Sequence, residues 1–278
     1  MIHDVAVIPD SNDAASWVIE GIQGFVDSVL SFVPGGFDAY ARVFHPAVPH
    51  GSHRNLRPGE RPLTWAEVAA SMGTTAHAAM DWPSMIGTYR QAGSIPGAPN
   101  HPGVEPTSGA LPIEVSRPLV EALREETGTP ERCWFAVWEG FGALSSWVEG
   151  APTFDLPHRR YHLLVGPIET IFESVEDPPF DQSANLWWPD DRSWCVATEI
   201  DLNTTYVGGS RQCVDRLLGE SGLEVYEVAP SDLGDYVNPE PTDQPWRDPP
   251  PKRRRWRWRR RGRSTTMVAQ ARRRPDRP

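Results

Sequence analysis

The chain has 278 residues, 39% of them hydrophobic, with 29 prolines, 23 glycines and 12 tryptophans; a body of that size buries about 70–75% of its unfolded surface, so folding requires neither a metal nor a disulfide framework. The formal charge of −10 is divided unevenly: residues 252–278 hold 13 of the 27 basic residues but one of the 37 acids. A strongly acidic body repels nucleic-acid phosphates, so any nucleic-acid or anionic-lipid binding falls to the basic tail.

Residues 1–13 are read as a flexible N-terminus. They carry Asp4, Asp10 and Asp13 where a signal peptide needs positive charge. The most apolar stretch, Trp17 to Val33, is interrupted by Glu20, Gln23 and Asp27 and does not read as a membrane span. A cytoplasmic, non-transmembrane protein is expected. Polar positions recurring every three to four residues predict one mostly buried helix over 14–33, capped by Asp13 and stopped by Pro34-Gly35-Gly36. Tyr40 to His45 reads as a strand, and 46–63 as a Pro/Gly/His loop. Thr64-Trp65-Ala66-Glu67 is a capping box for a helix reaching Met72, with Gly73 after it.

Prolines and glycines over 81–112 predict little regular structure. Ser116 is read as the cap of a helix ending near Thr127-Gly128. Cys133 to Trp138 is an unbroken apolar run, expected as a central strand covered on both faces. Arg160 to Val165 follows as a strand, and Pro167 is expected to open a helix burying Ile168, Ile171, Phe172 and Val175. A turn at Pro189-Asp190-Asp191-Arg192 leads to strands over Trp194–Ile200 and Thr204–Val207. A helix burying Val214, Leu217 and Leu218 and a last strand, Leu223 to Val228, complete the body. Strands and helices mix without strict alternation, which gives an α+β class: a single mixed domain over 14–237, with a mainly antiparallel sheet and several packed helices. Residues 238–251 read as a Pro-rich linker and 252–278 as a disordered Arg/Trp-rich tail.

The run Cys133-Trp134-Phe135-Ala136-Val137-Trp138-Glu139-Gly140-Phe141-Gly142 carries a resemblance, together with His158-Arg159-Arg160-Tyr161, Asn185-Leu186-Trp187-Trp188-Pro189 and Trp194 to Gly209. These segments resemble a group of uncharacterised proteins of high-GC Gram-positive bacteria, over roughly residues 14–230. The order of strands and helices is also similar to small Smi1/Knr4-type interaction and immunity domains. The first resemblance implies no activity, and the second implies partner binding.

Several side-chain sets bear on chemistry. On a strand read over Trp194–Asp201, alternation places Cys195, Ala197, Glu199 and Asp201 on one face, so Glu199 and Asp201 are candidate acid and base for a hydrolase or transferase. Asp190 and Asp191 nearby in sequence extend that set toward a divalent metal, against the plainer reading of a solvated acidic strand end. Gly208-Gly209-Ser210, between a strand and a helix, offers backbone N–H groups to a phosphate, or simply a turn and a cap. Trp187 and Trp188 are adjacent indoles, one of which is expected to line a pocket for a ring or cation, with Arg159 or Arg160 contacting an anion. His45, His50 and His53 match no zinc spacing and read as exposed loop histidines. Cys133, Cys195 and Cys213 read as buried apolar residues. No metal or cofactor is implied. In the tail, Arg253, Arg254, Arg255, Trp256, Arg257, Trp258 and Arg259 suit phosphate contact and base stacking, or mark an unselected, out-of-frame extension. The expectation overall is a non-catalytic domain that binds a protein or a small ligand, with the Glu199/Asp201 enzyme and the tail as a nucleic-acid or membrane anchor as alternatives.

Overall fold

The computed structural model describes residues 6–25, 28–49, 56, 60–86 and 103–232. The linker and tail expected over 238–278 lie outside the described residues, as do His50 and His53. In chain order the elements are α1 (Ser16–Gly21), β1 (Ala39–Phe44), β2 (Ala47–Pro49), α2 (Trp65–Ser71), α3 (Trp82–Ile86), β3 (Val104–Pro106) and α4 (Ile113–Arg124). They continue with β4 (Cys133–Trp138), α5 (Ser146–Glu149), β5 (Thr153–Leu156), β6 (Arg159–Gly166), β7 (Leu186–Pro189), β8 (Trp194–Thr198), β9 (Thr204–Gly209), α6 (Arg211–Gly219) and β10 (Glu224–Val228). Eight strands form one antiparallel sheet in the order β10-β1-β9-β8-β7-β4-β6-β5, and β2 pairs with β3. The class is α+β, with one mixed domain built on a large antiparallel sheet.

The sheet is covered on both faces, and strand alternation assigns its side chains to two cores. Cys133, Phe135 and Val137 of β4 join Val196 and Val207 under α4 and α6. Trp134 and Ala136 point the other way, with Leu163, Cys195 and Tyr206, under the N-terminal segment that includes Val18 and Phe32. A third core packs α2 and α3 against Phe44 through Trp65, Met80 and Trp82. Val7 is joined to this body, exchanging two backbone hydrogen bonds with Val165.

The capping box forms as expected: Thr64 Oγ1 accepts from Glu67 N at 3.1 Å, and the Glu67 carboxylate accepts from Thr64 N at 2.9 Å. The helix expected over 14–33 does not form as one piece. α1 ends at Gly21, where a Cβ would stand 2.6 Å from Pro34 Cβ; the Gly21 carbonyl accepts from Gly35 N at 3.1 Å and Gln23 N donates to Leu30 O at 2.8 Å. That close return of the chain replaces helical bonds with loop bonds, leaving a 3-10 turn at Val29–Ser31. Asp13 likewise sits inside a 3-10 turn rather than capping the helix.

α4 begins at Ile113, ahead of Ser116, because the Pro112 carbonyl accepts from both Val115 N and Ser116 N; the Ser116 hydroxyl bonds back to Ile113 O instead of capping. After Pro167 only a short 3-10 turn forms, Ile168–Phe172, with Ile168 and Ile171 inward and Phe172 part-exposed. The segments read as loops contain β2, β3 and α3, which are stabilised by pairing and by the third core and not by local pattern.

His45 is fully buried, not an exposed loop residue. Its Nδ1 lies 2.8 Å from Thr107 O and its Nε2 2.8 Å from Thr205 Oγ1. A carbonyl can only accept, so Nδ1 carries the proton and Nε2 accepts from the Thr205 hydroxyl. Burial holds the imidazole pKa down at about 4, against 6.5 ordinarily, with the Thr107 carbonyl opposing. Between those values the unfolded chain binds the extra proton, so stability falls as the pH drops from 6.5 toward 4. Over that interval wild type should lose about 3 kcal/mol more unfolding free energy than His45→Gln, as read by urea denaturation at a series of pH values.

Candidate functional site

β6 begins immediately after His158, which turns the chain from β5 with φ 64°. That turn aims Arg159 across the sheet end toward the turn that follows β8. There the Arg159 guanidinium makes an ion pair with Glu199 and approaches Asp201 Oδ2 at 3.5 Å. The Arg159 and Glu199 side chains are only 11% and 8% exposed, whereas Asp201 is 61% exposed. The guanidinium carbon stands 5.4 Å from the Phe25 ring centre and 5.7 Å from that of Trp138. The Tyr161 hydroxyl also hydrogen-bonds Arg159; burial raises its pKa, and the neighbouring positive charge opposes that rise.

Three of the candidate residues from the sequence therefore meet, in a geometry different from the expected one. β8 ends at Thr198, and Glu199 and Asp201 lie in a turn closed by Leu202 N donating to Glu199 O at 3.1 Å. Glu199 Oε2 accepts from Asp201 N at 2.7 Å. With one oxygen on the guanidinium and the other on a backbone N–H, the Glu199 carboxylate is a structural acceptor and is poorly placed to take a proton from a substrate.

Above the ion pair is a narrow cleft that opens to solvent; the space within it, open solvent included, is about 450 Å³. Its walls include Ile22, Phe25, Phe32 and Leu156, and its floor includes Tyr161 and Leu186. Asn185 closes the strand end: its Oδ1 accepts from Trp138 N at 2.9 Å and its Nδ2 donates to Thr198 O at 3.3 Å. Mostly apolar walls with a few convergent polar groups are the usual make-up of a small-molecule site. A larger and more open groove, about 1050 Å³, lies between the start of α4 and the segment 171–183. It has no comparable convergence of buried charge.

The other candidates are placed apart. Trp187 and Trp188 are both fully buried, one on each face: Trp187 packs on Phe135 and Trp194, Trp188 on Trp17. The expected indole-lined pocket is absent at these residues, because a sheet covered on both sides accommodates adjacent indoles in opposite cores. Arg160 faces away from the cleft and pairs with Asp155 at 2.9 Å and Glu139 at 3.9 Å.

Gly208 and Gly209 belong to β9, hydrogen-bonded in the ladder between β1 and β8, so their N–H groups do not form a phosphate cradle. They are small because the packing is close: a Cβ on Gly208 would meet Phe37 at 2.5 Å, and one on Gly209 would meet Cys213 Sγ at 2.9 Å. Ser210 caps α6, its hydroxyl accepting from Cys213 N at 3.0 Å. Asp190 and Asp191 precede β8, about 20 Å of strand away from Glu199, and bond Trp134 Nε1 and the Thr127–Gly128 turn.

Among the described residues no group of three or more His, Cys, Asp or Glu is placed to hold a metal ion. No described helix is long and apolar enough to cross a membrane. Burial pushes the Cys133 and Cys213 thiols up to about 12 and raises that of Cys195 further, which makes all three poor nucleophiles. The tail residues from Arg253 to Arg259 lie outside the described residues.

No known family, curated protein or solved structure matches this chain. The site is therefore argued from its own geometry. Phe25, Phe32, Tyr161 and Asn185 are not among the candidates: Phe25 and Phe32 fall inside the helix expected over 14–33, and Tyr161 and Asn185 stand in runs that carry the resemblance but no chemical motif.

Removing one member of a buried ion pair leaves the other without compensation, whereas replacing both with apolar groups of similar volume is far milder. Glu199→Ala should lower the unfolding free energy by about 3 kcal/mol or more. The Arg159→Met/Glu199→Leu double variant should lose less than Glu199→Ala, as measured by denaturant unfolding. Gly208→Ala should cost about 1–3 kcal/mol through overpacking against Phe37, read by the same method.

Proposed function

We propose that this domain binds a small molecule in the Arg159 cleft and carries out no covalent chemistry there. The observation that carries the reading is an apolar, aromatic-walled cavity ending on a nearly buried Arg159–Glu199 ion pair. Taking two charges out of water costs several kcal/mol per ion and gains little net stability. Such a pair at the bottom of a cleft is better explained by recognition than by folding. The walls supply desolvation, and the pair and its neighbours supply orientation.

The alternative in which Glu199 and Asp201 divide acid and base roles loses support, since Glu199 is engaged by Arg159 and by the Asp201 amide. An anion site on Arg159 also loses support, because Glu199, Asp201 and Tyr161 already surround the guanidinium.

Benzyl alcohol, an uncharged aromatic molecule, serves as a probe. Saturation-transfer NMR should show it binding to the full chain, and Phe25→Ala should weaken that binding several-fold while leaving the melting temperature close to wild type. No transfer to wild type, or equal transfer to the variant, would remove the cleft as the binding site.

A further inference from the structure

We infer that the ligand of the Arg159 cleft is a small organic cation with an apolar body, an inference that rests on the cleft being a binding site. Arg159, Ser31 and Asn185, three of the donors lining the cleft, are directed at acceptors of the chain itself. The Arg159 guanidinium serves Glu199, Asp201 and Tyr161. The Ser31 hydroxyl donates to Gln23 O at 2.9 Å, and Asn185 Nδ2 donates to Thr198 O at 3.3 Å. An anionic ligand would have to displace one of these partners to reach the Arg159 guanidinium.

Acceptors remain in surplus. Each carboxylate oxygen has more than one acceptor position, and the Asp201 carboxylate, largely exposed, lies beside the Arg159 guanidinium that lines the cleft. At the cleft, two carboxylates stand against one guanidinium. Arg160, the next cation along the chain, is turned away and paired with Asp155 and Glu139.

Two further features act in the same direction. The exposed Phe25 ring lines the cleft and already has the Arg159 guanidinium within range of its centre, as expected where a positive group is attracted by a ring quadrupole. At longer range, residues 1–251 hold 14 arginines against 36 acids, so the body's field draws cations and repels anions. The ligand would place its apolar part against Phe32, Leu156 and Leu186 and its charged end between Asp201 and the rim of Phe25.

Three isosteric probes test the charge separately from the cavity: benzylammonium, benzyl alcohol and benzoate, titrated into the full chain and followed by saturation-transfer NMR. Benzylammonium should bind about fivefold or more tighter than benzyl alcohol, and benzoate weaker than both. Asp201→Asn should remove most of the benzylammonium advantage over benzyl alcohol, and added salt should weaken benzylammonium selectively. Equal binding of the cation and the alcohol, or tightest binding of benzoate, would overturn the cation assignment while leaving the cleft a binding site. Failure of all three probes would overturn the binding-site reading itself.

Discussion

The constraint on which the structure depends is the burial of the large sheet on both faces. Every residue of β7, β8 and β9 is buried, so no strand in the middle of the sheet has a solvent side to which an unwanted group can turn. Successive side chains enter different cores, and the cores differ in what covers them: α4 and α6 on one face, the N-terminal segment on the other. This explains how the tryptophans are distributed. Trp187 and Trp188 are neighbours in sequence and belong to separate clusters. It also explains why Gly208 and Gly209 are glycines, since Phe37 and Cys213 press on β9 from the two sides.

A sheet of this kind forces polar groups to its ends. His45, Thr205 and Thr198 form a hydrogen-bonded series at one end, with the two threonine hydroxyls 2.7 Å apart. Arg159, Glu199 and Asn185 gather at the ends of β6, β7 and β8, where backbone pairing stops and side chains must satisfy what the ladder leaves open. Asn185 closes β4 and β8 in this way. The cleft exists because the N-terminal segment covers this end incompletely, leaving space above an ion pair that the strand ends hold in place.

Long-range side-chain contacts also complete local structure. The start of α2 is capped by its own Thr64 and, in addition, by Glu224 of β10, whose carboxylate accepts from Trp65 N at 2.5 Å and Ala66 N at 2.8 Å. Burial raises the Glu224 pKa, and the two N–H donors act against that rise. The buried Arg42 donates to Ala78 O at 2.7 Å and stands over Phe44, bringing the third core against β1. Neither residue carries a sequence signal, because its partner is far away in the chain.

The sequence by itself determined the class, the central strand Cys133–Trp138, the strands near 194 and 204, the α2 capping box and the turn before Arg192. These depend on unbroken apolar runs, on side chains within four residues of one another, or on glycine and proline at fixed offsets, all of which are local. It also singled out Arg159, Glu199 and Asp201 as chemically notable. Only the tertiary structure decided that these three meet, that Trp187 and Trp188 are core, that His45 is buried, and that the first expected helix breaks at Gly21 against Pro34. Each of those outcomes follows from a contact between segments distant in sequence, where packing and the loss of water outweigh the small preferences that a local pattern expresses.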